Sequence, residues 1–382
     1  MSQIVSGSAL DHSTIKRRAS PALHLAFGER WPALLEARGS FYLGDNSRRQ
    51  TQRVNLVRPG RILAIDAAGN PMIYENACLH GGKRLITPRR GLHYREGETL
   101  QCEWHRTTYR ADCGQLVRPG AMKIPIESLP ERTCERSELV VWQNRLVFEL
   151  GRDVIAARSS LELALRFIGE EAGDVFDFRD YRLQVSLDAP QAADMLTTLV
   201  NYLDIRHLCG HADTLGQLVD LSDYTHAGNP YAVVQRMGLH PGWLDGDSEW
   251  VKKYYKSGLA RELRYGAVWV MTADGLMLEW YPGVIVVSQC LPDPGNPWRS
   301  TLHHDFYYHT KALPEFVAAH QKIFLRTGDE DESWCSEATD HLIERIADGR
   351  GDSEWGFLDP AEENYARWLY DLATARLMPT DD

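Results

Sequence analysis

Two short segments of the sequence each place one cysteine beside one histidine. They are Cys78-x-His80 and Cys102-x-x-His105, separated by a spacer of 21 residues. Two thiolates can hold one iron of a [2Fe–2S] cluster while two neutral imidazoles hold the other, which raises the reduction potential above that of an all-thiolate cluster. A structural zinc site with two cysteines and two histidines is the alternative. Zinc motifs more often pair like ligands, so the mixed pairs favour the iron–sulfur cluster.

A further segment, Asn201-Tyr-Leu-Asp204-Ile-Arg-His207-Leu-Cys-Gly-His211, has the composition of a second metal site. His207 follows Leu203 by four residues in a predicted helix, so its imidazole continues the apolar stripe and points inward. His211 is one turn further along, and Asp204 can reach the same region from three residues before His207. Two inward imidazoles with a carboxylate behind them are typical of a metal site and of the groups that orient its ligands.

The third ligand of this site is predicted to be Asp331, which lies in the acidic run Asp329 to Glu332. Such a run is also typical of a solvated helix start, and Asp329 and Glu330 are the neighbouring candidates. The predicted helix places Asp331 on a face with three apolar residues, Cys335, Ala338 and Leu342. An unpaired carboxylate is unfavourable there, so a metal partner is indicated. Two histidines and one carboxylate form the facial triad of non-haem Fe(II) oxygenases, which leaves positions open for O₂.

Together, the two constellations resemble those of the Rieske non-haem iron aromatic-ring-hydroxylating oxygenases, in their terminal alpha subunits. The first resembles the family's Cys-x-His and Cys-x-x-His motif. The sequence departs from it in having a longer spacer, Leu79 in place of a common proline, and Arg106-Thr107 in place of a common glycine and tryptophan. The second resembles Asn-x-x-Asp-x-x-His-x₄-His with a distant aspartate. Here three residues separate His207 from His211, as in the subgroup that acts on heteroaromatic rings such as carbazole.

The resemblance implies two cofactors and a role for each candidate residue. A [2Fe–2S] cluster would be held by the four residues of the first constellation: Cys78, His80, Cys102 and His105. A mononuclear Fe(II) would be held by His207, His211 and Asp331, with Asn201 close to the iron. Asp204 would bridge the two centres by contacting His207 and His105 of the partner subunit. Members of this family form homotrimers in which electrons cross between subunits.

The bulk composition limits the other classes of protein that the chain could be. Its 382 residues, 43% hydrophobic and 25% charged, are typical of a soluble globular protein with two domains. No apolar run is long enough to cross a membrane and no secretory signal is evident, so we expect a cytoplasmic protein. Seven cysteines, an odd number, argue against a disulfide framework. The net charge of −11 argues against a nucleic-acid partner.

The elements that must position these residues indicate an α+β chain, with a small all-β part followed by an antiparallel sheet with helices packed on it. The resemblance implies that these parts are a Rieske domain and a helix-grip catalytic domain. We predict an N-terminal helical segment at 1–39 that packs on the catalytic domain, a Rieske domain at 40–155 and the catalytic domain at 156–382. The hairpins of the Rieske domain are predicted at Arg61–Ile65 with Pro71–Tyr74, and at Leu139–Trp142 with Arg145–Phe148.

The catalytic domain alternates predicted helices with predicted strands. One helix is expected from an N-cap at Asp188, with Pro190 in its first turn, to near Gly210. Strands are predicted around 267–270, 276–279, 285–289 and 301–308. Helices follow at about 314–326 and 328–347, and a last helix runs from Asp359 and Pro360 to about Arg376.

These features predict the terminal component of a multicomponent oxygenase that uses O₂ to mono- or cis-dihydroxylate a small aromatic or heteroaromatic substrate. Hydroxylation of a non-aromatic substrate and oxidative N- or O-demethylation are the alternatives, and a Rieske electron carrier or a zinc-stabilised binding module are alternatives of another class. No glycine-rich dinucleotide fingerprint follows a strand, so electrons must come from a separate NAD(P)H-dependent reductase, with or without a ferredoxin. A net basic stretch from Lys83 to Arg118 could dock such a partner.

The substrate pocket is expected to be lined by the strands after Ala267. The candidate lining residues are Trp269, Met271, Leu276, Met277 and Leu278, many of which we expect to be core. An apolar lining favours a neutral aromatic ring, whereas Arg206 could recognise a carboxylate.

Overall fold

The computed structural model describes residues 19–46, 54–58, 60–65, 70–86, 99–122, 125–128, 132–211, 214–217, 219–239, 265–293, 295–352 and 364–377. An opening helix, α1 (Pro21–Arg38), is capped by Ser20, whose side chain accepts a hydrogen bond from the Leu23 amide. Leu23, Phe27 and Trp31 lie on its buried face, and a helix is present in the predicted N-terminal helical segment. None of the described helices combines the length and the apolarity that crossing a membrane requires.

The next part of the chain is built from short antiparallel strands. In chain order they are β1 (Ser40–Asp45), β2 (Val54–Arg58), β3 (Arg61–Ile65), β4 (Pro71–Glu75), β5 (Thr99–Gln101), β6 (Thr108–Arg110), β7 (Leu116–Arg118), β8 (Arg136–Ser137), β9 (Leu139–Trp142) and β10 (Leu146–Leu150). They form three sheets, ordered β2-β3-β4-β8, β5-β6-β7 and β1-β10-β9. Both predicted hairpins are present. Gln143 and Asn144 form the turn between β9 and β10 with positive φ, as a tight hairpin requires.

The remaining part contains one large antiparallel sheet and the longer helices. Its elements are α2 (Val154–Ala172), β11 (Tyr181–Gln191), α3 (Met195–Leu203), β12 (Val219–Gly228), β13 (Ala232–Leu239), β14 (Ala267–Thr272), β15 (Leu276–Tyr281), β16 (Val284–Asp293), β17 (Asn296–His309), α4 (Pro314–Ala347) and α5 (Asn364–Leu377). The seven strands are ordered β11-β17-β16-β15-β14-β13-β12. The predicted α+β class, with a small all-β part and helices packed on an antiparallel sheet, is therefore confirmed.

The two faces of the large sheet are buried against different helices, because successive side chains of a strand point to opposite faces. On one face Val270 and Leu278 pack with Leu161 of α2. On the other face Trp269 and Val286 pack in a cluster with Phe316 of α4. This second face, beneath α4, is the one that carries the candidate iron site.

The helix predicted to begin at Asp188 is wrong at its N-terminus. Residues Asp188 to Gln191 belong to β11, where they pair with β17. Pro190 is accommodated because β11 is an edge strand of the sheet. The helix begins instead at Met195 with Asp194 as its N-cap, and the Asp194 side chain accepts a hydrogen bond from the Thr197 amide at 3.0 Å.

The structure also differs from the two helices predicted at about 314–326 and 328–347. The helices predicted on either side of residue 327 are one continuous helix, α4. Gly328 lies inside it, and a glycine costs a helix only about 1 kcal/mol relative to alanine, which does not end the helix. The predicted start of the last helix at Asp359 and Pro360 lies outside the described residues.

The domain boundaries at residues 39 and 155 stay a prediction. The N-terminal helix α1 contacts α3, α4 and α5.

Candidate metal centres and substrate pocket

Two similar loops hold the first constellation. Cys78 follows β4, and its amide donates a hydrogen bond to the carbonyl of Lys83 at 2.8 Å. Cys102 follows β5, and its amide donates to the carbonyl of Thr107 at 2.8 Å. Both cysteines are buried in one apolar cluster. Each loop therefore turns back on itself and presents one buried thiol from a fixed backbone.

The two histidines of these loops lie against each other. The ring centroids of His80 and His105 are 4.4 Å apart, with the planes at 80°. Within the described residues, the buried Nδ1 atom of His105 has no hydrogen-bond partner. A buried polar nitrogen without a partner is costly, and coordination to a metal removes that cost. Two buried thiols and two adjacent imidazoles, one with an unused nitrogen, thus fit the ligand set of a [2Fe–2S] cluster with mixed ligands.

Two features of the loops that hold the first constellation were not predicted from the sequence: the contacts of Tyr109 and the backbone conformation of Arg106. The Tyr109 hydroxyl lies 3.1 Å from the Cys78 sulfur and accepts a hydrogen bond from the Leu79 amide at 2.9 Å. Only the return of β6 beside the Cys78 loop brings this tyrosine there. Arg106, which stands where the resembling family has glycine, adopts a left-handed backbone with φ of 56°. The position therefore keeps the conformation that favours glycine.

The second constellation is assembled from α4 and from the turn after α3. A 3₁₀ segment, Ile205–His211, follows α3 and carries both histidines. One ligand atom from each of His207, His211 and Asp331 lies within 4.8 Å of the others. The Oδ1 atom of Asp331 is 3.5 Å from Nε2 of His207 and 3.0 Å from Nε2 of His211. The structure therefore brings the three predicted ligands together, on a 3₁₀ segment rather than on the predicted continuation of the helix.

The Nδ1 atoms of both imidazoles, on the side away from Asp331, make hydrogen bonds. Nδ1 of His207 donates to the backbone carbonyl of Asp204. Nδ1 of His211 donates to the Glu330 carboxylate at 2.7 Å, and the Thr214 hydroxyl donates to the same oxygen at 3.0 Å. These bonds fix the tautomer that leaves each Nε2 free to bind a metal. Burial opposes protonation of His211, but the carboxylates of Asp331 and Glu330 outweigh it and raise its pKa. The donor set fits a mononuclear iron with open positions.

The remaining predicted residues of this site are placed as follows. The Asn201 amide donates to Asp331 Oδ1 at 2.8 Å, so it lies beside the candidate ligand. Asp204 ends α3, and its Oδ1 accepts a hydrogen bond from the Arg206 amide at 2.9 Å. The predicted bond between the Asp204 carboxylate and His207 is absent among the described contacts, because the backbone carbonyl of Asp204 takes that place.

The helix face of Asp331 differs in one position from the prediction. Cys335 and Leu342 are buried as expected, but Ala338 is exposed and Thr339 takes its place on the buried face. Glu330, a rejected candidate ligand, instead orients His211. The sequence shows an acidic residue next to Asp331. It does not show that Glu330 faces the Nδ1 nitrogen of His211.

A cavity of about 350 Å³ opens on the candidate iron site. Its lining includes His207 and Asp331, together with Trp269, Met277, Glu279 and Tyr281 from the sheet and Ile323, Phe324 and Glu332 from α4. Of the five residues proposed from the sequence, Trp269 and Met277 line the cavity. Met271, Leu276 and Leu278 point into the core instead. Arg206 is exposed and is not part of the lining.

Comparison with known proteins agrees with this geometry. A model of the Rieske [2Fe–2S] domain matches residues 43–130. The putrescine 2-hydroxylase of Bordetella bronchiseptica is 27% identical over 311 residues, which cover 76% of this chain and 66% of the relative, just under two thirds of its length. The putrescine 2-hydroxylase of Ralstonia nicotianae is 28% identical over 318 residues, covering 80% of this chain and 79% of the relative.

The fold is also shared with a solved structure of low sequence identity. A quaternary ammonium Rieske monooxygenase, studied for carnitine oxidation by gut microbiota, superposes with a TM-score of 0.71 at 14% identity over 94% of this chain and 95% of that one. The finer assignment to the carbazole-type subgroup stays a prediction. The matched domain shows that this chain carries a Rieske [2Fe–2S] domain, and the superposition shows that it shares the fold of a Rieske monooxygenase.

Proposed function

We propose that this chain is the terminal component of a multicomponent Rieske monooxygenase that hydroxylates a small, non-aromatic, positively charged substrate. Electrons would come from a separate reductase, with or without a ferredoxin. The observation that carries the proposal is the charge of the cavity at the candidate iron site. Besides the candidate iron ligand Asp331, its described lining contains three carboxylates, Glu279, Asp329 and Glu332, and neither lysine nor arginine. Like charges repel and opposite charges attract in a cavity of low dielectric, so a cation is the favoured guest.

The relatives support this choice of substrate class. Two of them bear the name putrescine 2-hydroxylase, and putrescine is an aliphatic diamine that is doubly charged near neutral pH. A cavity of about 350 Å³ is at the small end of ligand sites and suits such a molecule.

We propose the following roles for the residues of the two candidate sites. Cys78, His80, Cys102 and His105 would hold the cluster, and His207, His211 and Asp331 would hold the mononuclear iron. When bound, these groups supply electron storage and the activation of O₂. Asn201 donates a hydrogen bond to Oδ1 of Asp331, the oxygen that faces both imidazoles, and so orients that carboxylate. Glu330 orients His211. The apolar walls from Ile323 and Phe324 would exclude water from the substrate's carbon chain.

Asp204 would connect the two centres in a homotrimer. It lies at the end of α3, directly before the segment that carries His207 and His211. One of its carboxylate oxygens holds the Arg206 amide, and the other would accept a hydrogen bond from His105 of the partner subunit. The path to the mononuclear site would then run through the backbone carbonyl of Asp204 to His207.

Hydroxylation of an aromatic ring is the second candidate function. It is favoured by the apolar part of the same cavity, where Leu302, Ile323 and Phe324 lie together. The two candidates differ in the charge of the substrate, so a single assay can separate them.

The test supplies the reconstituted chain with NADH, a surrogate Rieske reductase and O₂. Putrescine, butylamine, butanediol and naphthalene are each offered, and products are read by mass spectrometry. We expect the amines to gain one oxygen atom from isotopically labelled O₂. Turnover of naphthalene without turnover of either amine would overturn the proposal in favour of the aromatic candidate.

A further inference from the structure

A carboxylate other than that of the candidate iron ligand Asp331 is buried in the wall of the cavity. Glu279 is only 7% exposed, and it lines the cavity from the middle of β15. Its neighbours two residues away on the same face, Met277 and Tyr281, also line the cavity. The intervening side chains, Leu278 and Trp280, point into the core on the other side of the sheet. The strand's alternation therefore aims the carboxylate into the cavity rather than into the core.

The described neighbours of Glu279 hold it in place without neutralising it. The Tyr281 hydroxyl donates to its Oε2 at 2.7 Å, and the Trp269 indole donates to the Tyr281 oxygen at 2.9 Å. Within the described part of the chain, no lysine, arginine or histidine nitrogen lies within ion-pair distance of Glu279. A buried carboxylate is costly unless it is paired, so the missing cation points to a ligand.

The surroundings of the carboxylate are aromatic. Tyr202 stacks on Trp269, with ring centroids 5.7 Å apart and planes at 29°. The Tyr202 hydroxyl is fixed by donation to the carbonyls of Val270 and Leu278. Aromatic faces attract cations, and more so where water is excluded. A carboxylate beside two stacked rings is therefore suited to an alkylammonium group.

We propose that Glu279, with Tyr281, Trp269 and Tyr202, forms the subsite that binds the ammonium group of the substrate. The inference rests on the proposed function and adds the residue that determines its specificity. The carboxylate accepts hydrogen bonds from the N–H groups of a primary ammonium. The aromatic rings cover the side of the ammonium that is bonded to carbon. The subsite and the candidate iron site share one cavity, so the bound ammonium fixes which carbon of the substrate faces the iron.

The test measures binding by calorimetry on the holoprotein, before any electrons are supplied. Putrescine and butylamine are compared with butanediol for the wild type and for Glu279→Gln. Glutamine keeps the shape and the acceptor for Tyr281 but loses the charge. Loss of one partner of a buried charge pair weakens binding by about 30-fold or more. We expect that loss for both amines and a change of less than about three-fold for butanediol.

Controls make the outcome decisive. Glu337→Gln removes an equal charge from an exposed position on α4 and should leave amine binding as it was. Tyr281→Phe removes the hydroxyl that donates to Glu279 and accepts from Trp269, and it should also weaken amine binding. This second variant tests the subsite where Glu279→Gln fails to fold. Visible absorption and iron content show that each variant is loaded. Unchanged amine affinity in both pocket variants overturns the subsite. If wild type hydroxylates amines normally in that case, the proposed function survives without it, whereas failure of wild type to bind or oxidise amines overturns both.

Discussion

The Nε2 atom of His211 lies 3.0 Å from Oδ1 of Asp331, although the two residues are 120 positions apart in the chain. This approach exists because α4 packs against α3 and against residues 215–217, which lie on either side of the segment that carries His211. The candidate metal site therefore takes its ligands from two separate elements, α4 and the segment Ile205–His211, and metal binding depends on both.

Asp331→Ala should lose the mononuclear iron while keeping the cluster. The variant removes the carboxylate that faces the Nε2 atoms of both His207 and His211. Asp329→Ala is the matched control, because Asp329 is exposed and lies outside the group of three candidate ligands. Iron content and visible absorption check both. Retention of the mononuclear iron in Asp331→Ala, with its loss in Asp329→Ala, would show that the ligand is misassigned.

Glu330→Ala should weaken binding of the mononuclear metal by about 10- to 100-fold without abolishing it. The Glu330 carboxylate accepts the Nδ1 proton of His211, and without it the imidazole loses its fixed orientation. Competition with a chelator measures the affinity, and Glu330→Gln, which keeps an acceptor, should recover part of it. Equal affinity in wild type and Glu330→Ala would show that Glu330 is a surface charge of α4.

Much of this site could be predicted from local sequence, and the exceptions have physical causes. The ligand types and spacings predicted His207, His211 and Asp331, which the structure brings together. The residue pattern predicted α1 and four of the seven strands of the large sheet, β14 to β17. The start of α3 was misplaced because Asp188 and Pro190 satisfy the local rules for a helix start. Pairing of these residues with β17, which is distant in the chain, outweighs that local preference.

The residues missed entirely are those whose role depends on tertiary contact. Glu279 reads as an ordinary polar residue in a strand, since alternation alone does not show that its face borders a cavity. Glu330 could not be separated from Asp331 until the rotation of α4 against His211 was known. Tyr109 contacts Cys78 across a separation of 31 residues, which local sequence does not reveal.

Asp204→Asn should slow re-oxidation of a reduced cluster by about ten-fold or more, while both metals stay bound. Asparagine retains the acceptor that holds the Arg206 amide, but it loses the charge of the oxygen proposed to face the partner subunit. Stopped-flow absorption of the pre-reduced variant, mixed with substrate and O₂, measures the rate. Reduction by the reductase should be normal. Re-oxidation at the wild-type rate would exclude Asp204 as the bridge.

Binding of butylamine should strengthen as pH rises through about 7. Burial raises the pKa of Glu279 to about 7, the Tyr281 hydrogen bond opposes this rise, and the charge of Asp331 adds to it. A carboxylate is ionised above its pKa, so the anion that attracts the ammonium is formed as pH rises. From one pH unit below to one above, the ionised fraction and the affinity should increase about ten-fold.

Four other residues that line the cavity, Tyr202, Tyr281, His304 and His320, titrate outside that range. Burial raises the pKa of Tyr202 and of Tyr281 well above its usual value, and burial lowers the pKa of His304 to about 4 and that of His320 to about 3. Calorimetric titrations across this range check the profile, and Glu279→Gln should flatten it. An identical slope in the variant would assign the pH dependence to another group.

The central claim is that one chain carries two separate iron centres, and metal analysis of three proteins tests it most directly. Anaerobically reconstituted wild type should contain about three irons and two acid-labile sulfides per chain, because the cluster takes two irons and the second site one. His207→Ala should keep the visible absorption of the cluster with about two irons, and should not turn over substrate. Cys78→Ser should lose that absorption. Two irons in wild type, unchanged by His207→Ala, would contradict the account.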